Sequence, residues 1–356
     1  MLFYLGAVLV TGLLAFRGTY IGGDTPAYCG YFSGKGGWYG ILETNNTFEW
    51  GFRMFCHFIA IFSREEFWFL FTTSLVTMLP FLYLVKRDTH GSKILPLCQY
   101  MLLWGILSTT QTAIRQNISI GLIMLAYILL TTSTLSKRKK ITYSILFVSF
   151  GLLTHNSSFI ILPILIFCIF LKLTKRNAMI MVICSFFLII LFNDIFYRFS
   201  NVLSVITTYI TPTQILFDRY FAGDMEAELR SSIFKLFAVT FFSCLIIYIS
   251  NEEDVRSNYF KFFVVGVTTY IIGSSFPMIS RSMQLILFMG IIFCPSYIRI
   301  LRYNRWRMAI IITLLFLTKY QINMEPRGAS QMYPYTFIWE PNNINTLKDN
   351  SIQFIK

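Results

Sequence analysis

The sequence predicts an all-α fold, a polytopic membrane bundle of about eleven transmembrane helices with amphipathic helices on its outer face. Three observations carry this. Of 356 residues, 55% are apolar and only 13% charged, against roughly 25% charged in a soluble domain. The apolar residues come in long runs, and the lysines and arginines between them gather in alternate connections. In lipid every backbone polar group must be satisfied within its own segment, so these runs are read as helices.

Residues 1 to 16 carry no charge, no basic stretch precedes them and no A-x-A cleavage signal follows, so they read as a retained first span. Further apolar runs lie near residues 67 to 85, 94 to 110, 118 to 135, 141 to 154, 158 to 171, 178 to 192, 232 to 250, 259 to 276, 282 to 298 and 308 to 318. The fifth and the last fall short of the roughly 20 residues a span needs. Their flanks must lengthen them, and the total lies between ten and twelve.

With the N-terminus in the cytoplasm, five inner connections (KRDTHGSK, SKRKK, KLTKR, NEEDVRSNYFK and RILRYNRWR) hold sixteen Lys and Arg residues, and the three short outer ones hold two. That asymmetry orients the chain by the positive-inside rule. The formal net charge of +13 is therefore largely a topology signal and a contact with membrane lipids; no nucleic acid partner is expected.

Three outer regions are longer: residues 17–66, 193–231 and the tail 319–356. In the first, GFRMFCHFIAIF sets Phe52, Phe55, Ile59 and Phe62 on one helical stripe too short to span, which predicts an interfacial or re-entrant helix. In the second, TPTQILFDRYFAGDMEAELRSS predicts an amphipathic cap. With no internal repeat or low-complexity linker, residues 1–356 read as one integral membrane domain. Of seven cysteines, Cys29 and Cys56 alone share a polar loop; a disulfide there stays open if the loop faces an oxidising compartment.

The outer face prefers arginine to lysine. A guanidinium grips phosphate or carboxylate in two places and sheds water readily, as an anionic lipid headgroup would require. Arg17, Arg115 and Arg281 each sit within a few residues of a span end, where the plainer alternative is snorkelling to lipid phosphates. In the second outer region Arg219 and Tyr220 join the candidates for holding pyrophosphate or sugar.

Asp24, in GGDTP, is placed to cap a helix beginning at Thr25 or to hold a sugar hydroxyl. Gly22 and Gly23 fit a tight turn or a close backbone approach to a ligand. Glu49 favours the dipole of the helix it begins, and a catalytic role is equally open. Asn117 is read as a cap for the next span, which leaves Arg115 to point into an outward cavity. His155 is either a satisfied hydrogen-bonding residue or a proton carrier near neutral pH. His57 and His90 lack metal-ligand spacing, so no metal site and no cofactor are expected.

Several motifs occur in one order: R-G-T-Y-I-G-G-D-x-x-x-Y after the first span, E-W-G-F, I-R-Q opening a middle span, an H-x-S-S turn and S-R near the tenth span. This constellation resembles the EpsG family of bacterial polysaccharide polymerases, a branch of the Wzy-type O-antigen and exopolysaccharide polymerases. The resemblance implies an inner-membrane glycosyltransferase acting on undecaprenyl-pyrophosphate-linked oligosaccharides at the outer or periplasmic side. It would move the growing glycan from its lipid onto the next repeat unit, with a chain-length regulator and a flippase as partners to look for. The matching positions are Arg17, Gly23, Asp24, Tyr28, Glu49, Arg115, Gln116, His155 and Arg281. Thr154 stands where an aromatic is expected before the histidine, and Trp50 where proline is frequent. For the reaction the resemblance implies, Arg17, Arg115 and Arg281 would hold pyrophosphate while Asp24, Glu49 or His155 takes the acceptor's proton. A flippase for the same lipid-linked glycans, a transferase using a lipid monophosphate donor, and an assembly scaffold stay open.

Overall fold

In the computed structural model the apolar runs that are described form helices. It describes residues 2–34, 48–89, 93–102, 110–111, 113–132, 135–155, 158–191, 225–273, 290, 292–294 and 337–339. Of residues 101, 102, 160, 225–232, 234 and 235 it describes the backbone alone. Among these residues the fold is all-α, with a single isolated antiparallel bridge between Arg17 and Phe337. They group into two compact units, residues 1–158 with 308–356, and residues 159–307.

The first unit holds α1 (Leu2–Ala15), α2 (Thr25–Ser33), α3 (Trp50–Ala60), α4 (Glu66–Asp88), α5 (Ile94–Leu102), α6 (Ile114–Thr131) and α7 (Lys137–Thr154). Among the described residues α4 and α6 are long and apolar enough to cross a membrane, and α1 is a shorter apolar helix. Glu66 lies in the first turn of α4 and Lys86 and Arg87 in its last, each sign where the helix dipole favours it. α6 packs closely on α4 because Gly121 has no side chain; a Cβ there would lie 2.3 Å from the Val76 carbonyl oxygen. Against α7, the Ser119 hydroxyl on α6 donates to the Gly151 carbonyl at 2.8 Å and bonds the Ser158 hydroxyl.

The core of this unit is aromatic. Phe32, Phe52 and Phe69 are fully buried with Tyr28, Cys29, Cys56, Ile114 and Ile118. Cys29 and Cys56 are both free thiols here. Burial among the rings pushes the Cys29 thiol up to about 12.

The second unit holds α8 (Ser158–Phe170) from Phe159 on, α9 (residues 175–191), α10 (Met225–Ile249), α11 (Glu252–Arg256) and α12 (Asn258–Ile272). The acid cluster at Glu252–Asp254 is a reciprocal cap: Asp254 N–H donates to Asn251 Oδ1 at 2.8 Å, and Asn251 N–H to Asp254 Oδ2 at 3.0 Å. Lys261 Nζ donates to the Ile169 carbonyl at the end of α8, where a cation suits the dipole.

Local boundaries differ from the expected ones in three places. α6 begins at Ile114, so Asn117 is one turn inside it; its amide donates back to the Ala113 carbonyl at 2.8 Å instead of capping the helix. The stripe on α3 buries Phe52, Phe55 and Ile59, but Phe62 lies beyond the last helical residue and is 77% exposed. α10 runs from Met225, because nothing in MEAELRSS breaks a helix before the apolar run. The rest of the expected amphipathic cap and the tenth and eleventh runs lie largely outside the described residues.

Candidate functional site

The turn after α1 is built on one glycine. Gly22 has φ +96°, and a Cβ there would sit 2.5 Å from the Gln111 carbonyl oxygen. The positive φ belongs to Gly22 and not to Gly23. The same carbonyl accepts from Thr25 Oγ1 at 2.8 Å and from Arg17 Nη2 at 3.4 Å, while Arg17 Nη1 donates to the Leu14 carbonyl at 3.1 Å. Arg17 is 2% exposed. It lines a small hollow, with room for about one water molecule, together with Thr73, Ser74, Thr77, Thr110, Ile114 and Asn117. The three hydroxyls on α4 donate to carbonyls of their own helix.

This turn aims α2. Asp24 stands in the capping position, but its backbone is αR, it makes no side-chain capping bond, and its carboxylate is exposed. One turn on, Tyr28 is buried against Phe48 and Phe52.

Three helix ends meet beside Tyr28. Glu49 precedes the first turn of α3, Arg115 lies in the first turn of α6, and His155 follows the last turn of α7. Gly51 allows it: a Cβ there would be 2.7 Å from the Leu153 carbonyl oxygen and 2.8 Å from the Thr154 nitrogen, so α3 touches the end of α7 backbone to backbone. Arg115 Nη1 donates to Glu49 Oε2, and its Nε donates to the Tyr28 hydroxyl at 3.2 Å. The guanidinium carbon lies 5.0 Å from the centre of the Phe48 ring and 5.4 Å from that of Tyr28. His155 Nδ1 is 3.3 Å from Glu49 Oε1, an ion-pair contact when the imidazole is protonated.

The electrostatics follow from these neighbours. A cation at the start of α6 opposes the helix dipole, while an anion at the start of α3 and a protonated imidazole at the end of α7 agree with theirs. Glu49 compensates for Arg115. Burial works to raise the Glu49 carboxyl, but His155 and Arg115 outweigh it and hold it at about 2. Burial raises the Tyr28 phenol above its ordinary value against the pull of Arg115. The site is a carboxylate fixed as an anion between a guanidinium and an imidazole. Arg115 Nη2 and His155 Nε2 make no hydrogen bond among the described residues.

Of the residues expected to act together, the structure gathers Tyr28, Glu49, Arg115 and His155. Arg17 belongs to the turn that carries Tyr28, and its geometry is that of a strut. Gln116 is buried on α6. Arg219, Tyr220 and Arg281 lie outside the described residues. Sequence reasoning missed Gly51 as the contact that joins α3 to α7, Phe48 as a face of the arginine's cage, and the Gln111 carbonyl. Gly51 carries a signal in E-W-G-F; a backbone carbonyl carries none. Among the described residues no three His, Cys, Asp or Glu side chains gather as a metal-holding group.

The EpsG family model matches residues 1–337. No curated protein and no solved structure matches the chain. The match and the apolar helices fit an integral membrane protein, with glycosyltransferase-like polysaccharide polymerisation as the family's broad activity.

Proposed function

Because the chain belongs to the EpsG family, we propose that it joins lipid-pyrophosphate-linked oligosaccharide repeat units into a polysaccharide, at the outer face of a bacterial inner membrane. The observation that carries this reading is the meeting of Arg115, Glu49 and His155 at three helix ends.

Transfer needs three things: a base for the acceptor sugar's hydroxyl, stabilisation of the departing diphosphate, and a fixed distance between them. A carboxyl held at about 2 is a weak base, so Glu49 serves as the holder. Its Oε1 lies 3.3 Å from His155 Nδ1, near enough to hold a proton on that nitrogen when the ring turns to it, leaving Nε2 to accept the hydroxyl proton. The sugar oxygen attacks the donor's anomeric carbon, and the bond from that carbon to the phosphate oxygen breaks. The lipid pyrophosphate leaves with the electron pair, facing the Arg115 N–H groups that Glu49 and Tyr28 do not use. Asp24, exposed at the head of α2, and Trp50, 53% exposed next to Glu49, are free to contact the acceptor sugar. Arg281, Arg219 and Tyr220 complete the diphosphate and sugar contacts in the reading from sequence.

The test is deletion of the gene followed by electrophoresis of the surface glycan. The expected result is a single repeat unit in place of a ladder. Loss of all surface glycan, as from a failed flippase, or an unchanged ladder overturns the proposal.

A further inference from the structure

α4 carries aromatic side chains at both ends of an uncharged stretch, residues 67–85. At its C-terminal end Lys86 lies 6.0 Å from the Tyr4 ring of α1, and Arg87 lies 5.8 Å from the ring of Tyr83; Tyr4 and Tyr83 are exposed. At its N-terminal end Phe67 stacks on Phe16 at 5.5 Å and touches Trp68 and Phe71. Trp68 and Lys86 are eighteen residues apart, about 27 Å along a helix, close to the roughly 30 Å hydrocarbon layer. The two groups are girdles at a bilayer's spacing.

A segment distant in sequence joins the second girdle. Phe337 bridges Arg17 in antiparallel fashion, and Ile338 N–H donates to the Phe16 carbonyl at 2.9 Å. Trp339 then lies on Phe16 at 5.6 Å and parallel to Phe337 at 4.7 Å, and it is 64% exposed. A large indole left open beside Phe16 and Phe337 has the chemistry of the membrane–water boundary, where an apolar ring body meets lipid and its N–H meets water.

We propose that Phe16, Phe67, Trp68, Phe71, Phe337 and Trp339 form an interfacial anchor whose partner is the headgroup and upper acyl layer of the bilayer. Lys86 and Arg87 mark the opposite face. The anchor clamps residues 337–339 onto the end of α1, so it sets the depth of Arg17 and of the turn that aims Tyr28. The inference rests on α4 crossing a bilayer and not on the reaction assigned above.

The test is tryptophan fluorescence of the whole protein in liposomes of brominated phosphatidylcholine. Subtracting the signal of Trp339→Phe isolates Trp339 among six tryptophans. More of its fluorescence is expected to be lost to bromines near the glycerol end of the acyl chains than to bromines near the chain ends, with weak quenching by acrylamide from water. Trp68→Phe is expected to report the same depth for Trp68. Strong acrylamide quenching without bromine quenching, maximal loss to chain-end bromines, or different depths for the two rings would overturn the anchor. None of these outcomes depends on glycan synthesis, so the anchor and the polymerase reading fail separately.

Discussion

Arg17 and Arg115 begin as equals, each an arginine beside the end of an apolar run, yet the fold puts them to different work. Arg17 is buried in the turn after α1, its Nη1 and Nη2 donating to the carbonyls of Leu14 and Gln111. Arg115 stands half-buried between two aromatic rings, balanced by Glu49, with Nη2 unbonded among the described residues. Carbonyls turn a guanidinium into a strut, because they tie its two ends to the backbone while burial closes it off from solvent. A carboxylate and a phenol set to one side turn it into a presenter, because they fix its plane and leave the other edge for an anion.

The comparison breaks most visibly if the two arginines exchange symptoms. Arg115→Ala is expected to reduce polymer formation about 100- to 1000-fold, the usual loss when one preorganised donor to a developing negative charge is removed, with folded protein still recovered. Arg17→Ala is expected to cost about 1–3 kcal/mol through lost bonds to buried carbonyls, read as a lower unfolding temperature and lower yield, with activity per folded molecule nearly kept. A full ladder from Arg115→Ala, or normal stability with lost activity in Arg17→Ala, reverses the assignment.

Two glycines sharpen it at smaller effect. Gly51→Ala must push α3 from the end of α7, because the added carbon would meet the backbone of Leu153 and Thr154. Separating Glu49 from His155 in this way is expected to lower transfer about tenfold, within the range of a misplaced proton acceptor. Gly22→Ala belongs to the Arg17 region and should cost stability instead, about 1–3 kcal/mol for a left-handed backbone bearing a side chain. Assaying glycan ladders and thermal unfolding on both variants separates the two regions.

The smallest effect is the pH dependence of Glu49. Its carboxyl lies near 2 in the fold against an ordinary value of 4.5, so its ion pair stabilises the fold fully above about 4.5 and is lost as pH falls toward about 2. Unfolding temperature should decline through that window in detergent solution, and Glu49→Gln should flatten that part of the decline. An equal slope in both proteins would mean that the carboxylate is not held by Arg115 and His155.

Much of this was legible locally. Runs without charge foretold α1, α4 and α7, and the charged flanks of α4 lie where its apolar stretch ends. The Thr-Pro after Asp24 foretold where α2 starts, although no capping bond forms there. Phe62 was misplaced because periodicity shows which positions share a face but not where the helix stops. The meeting of Glu49 with Arg115, 66 positions apart, has no local trace.

By itself the sequence determined that the chain is helical, that its helices are apolar, and which polar residues stand at their ends, because these depend on periodicity and on keeping charge out of lipid. Tertiary structure alone decided which ends meet. Gly51 and Gly22 let backbones approach where a side chain would keep them apart, and those approaches bury one arginine among carbonyls and set the other, half-buried, against Glu49 and Tyr28.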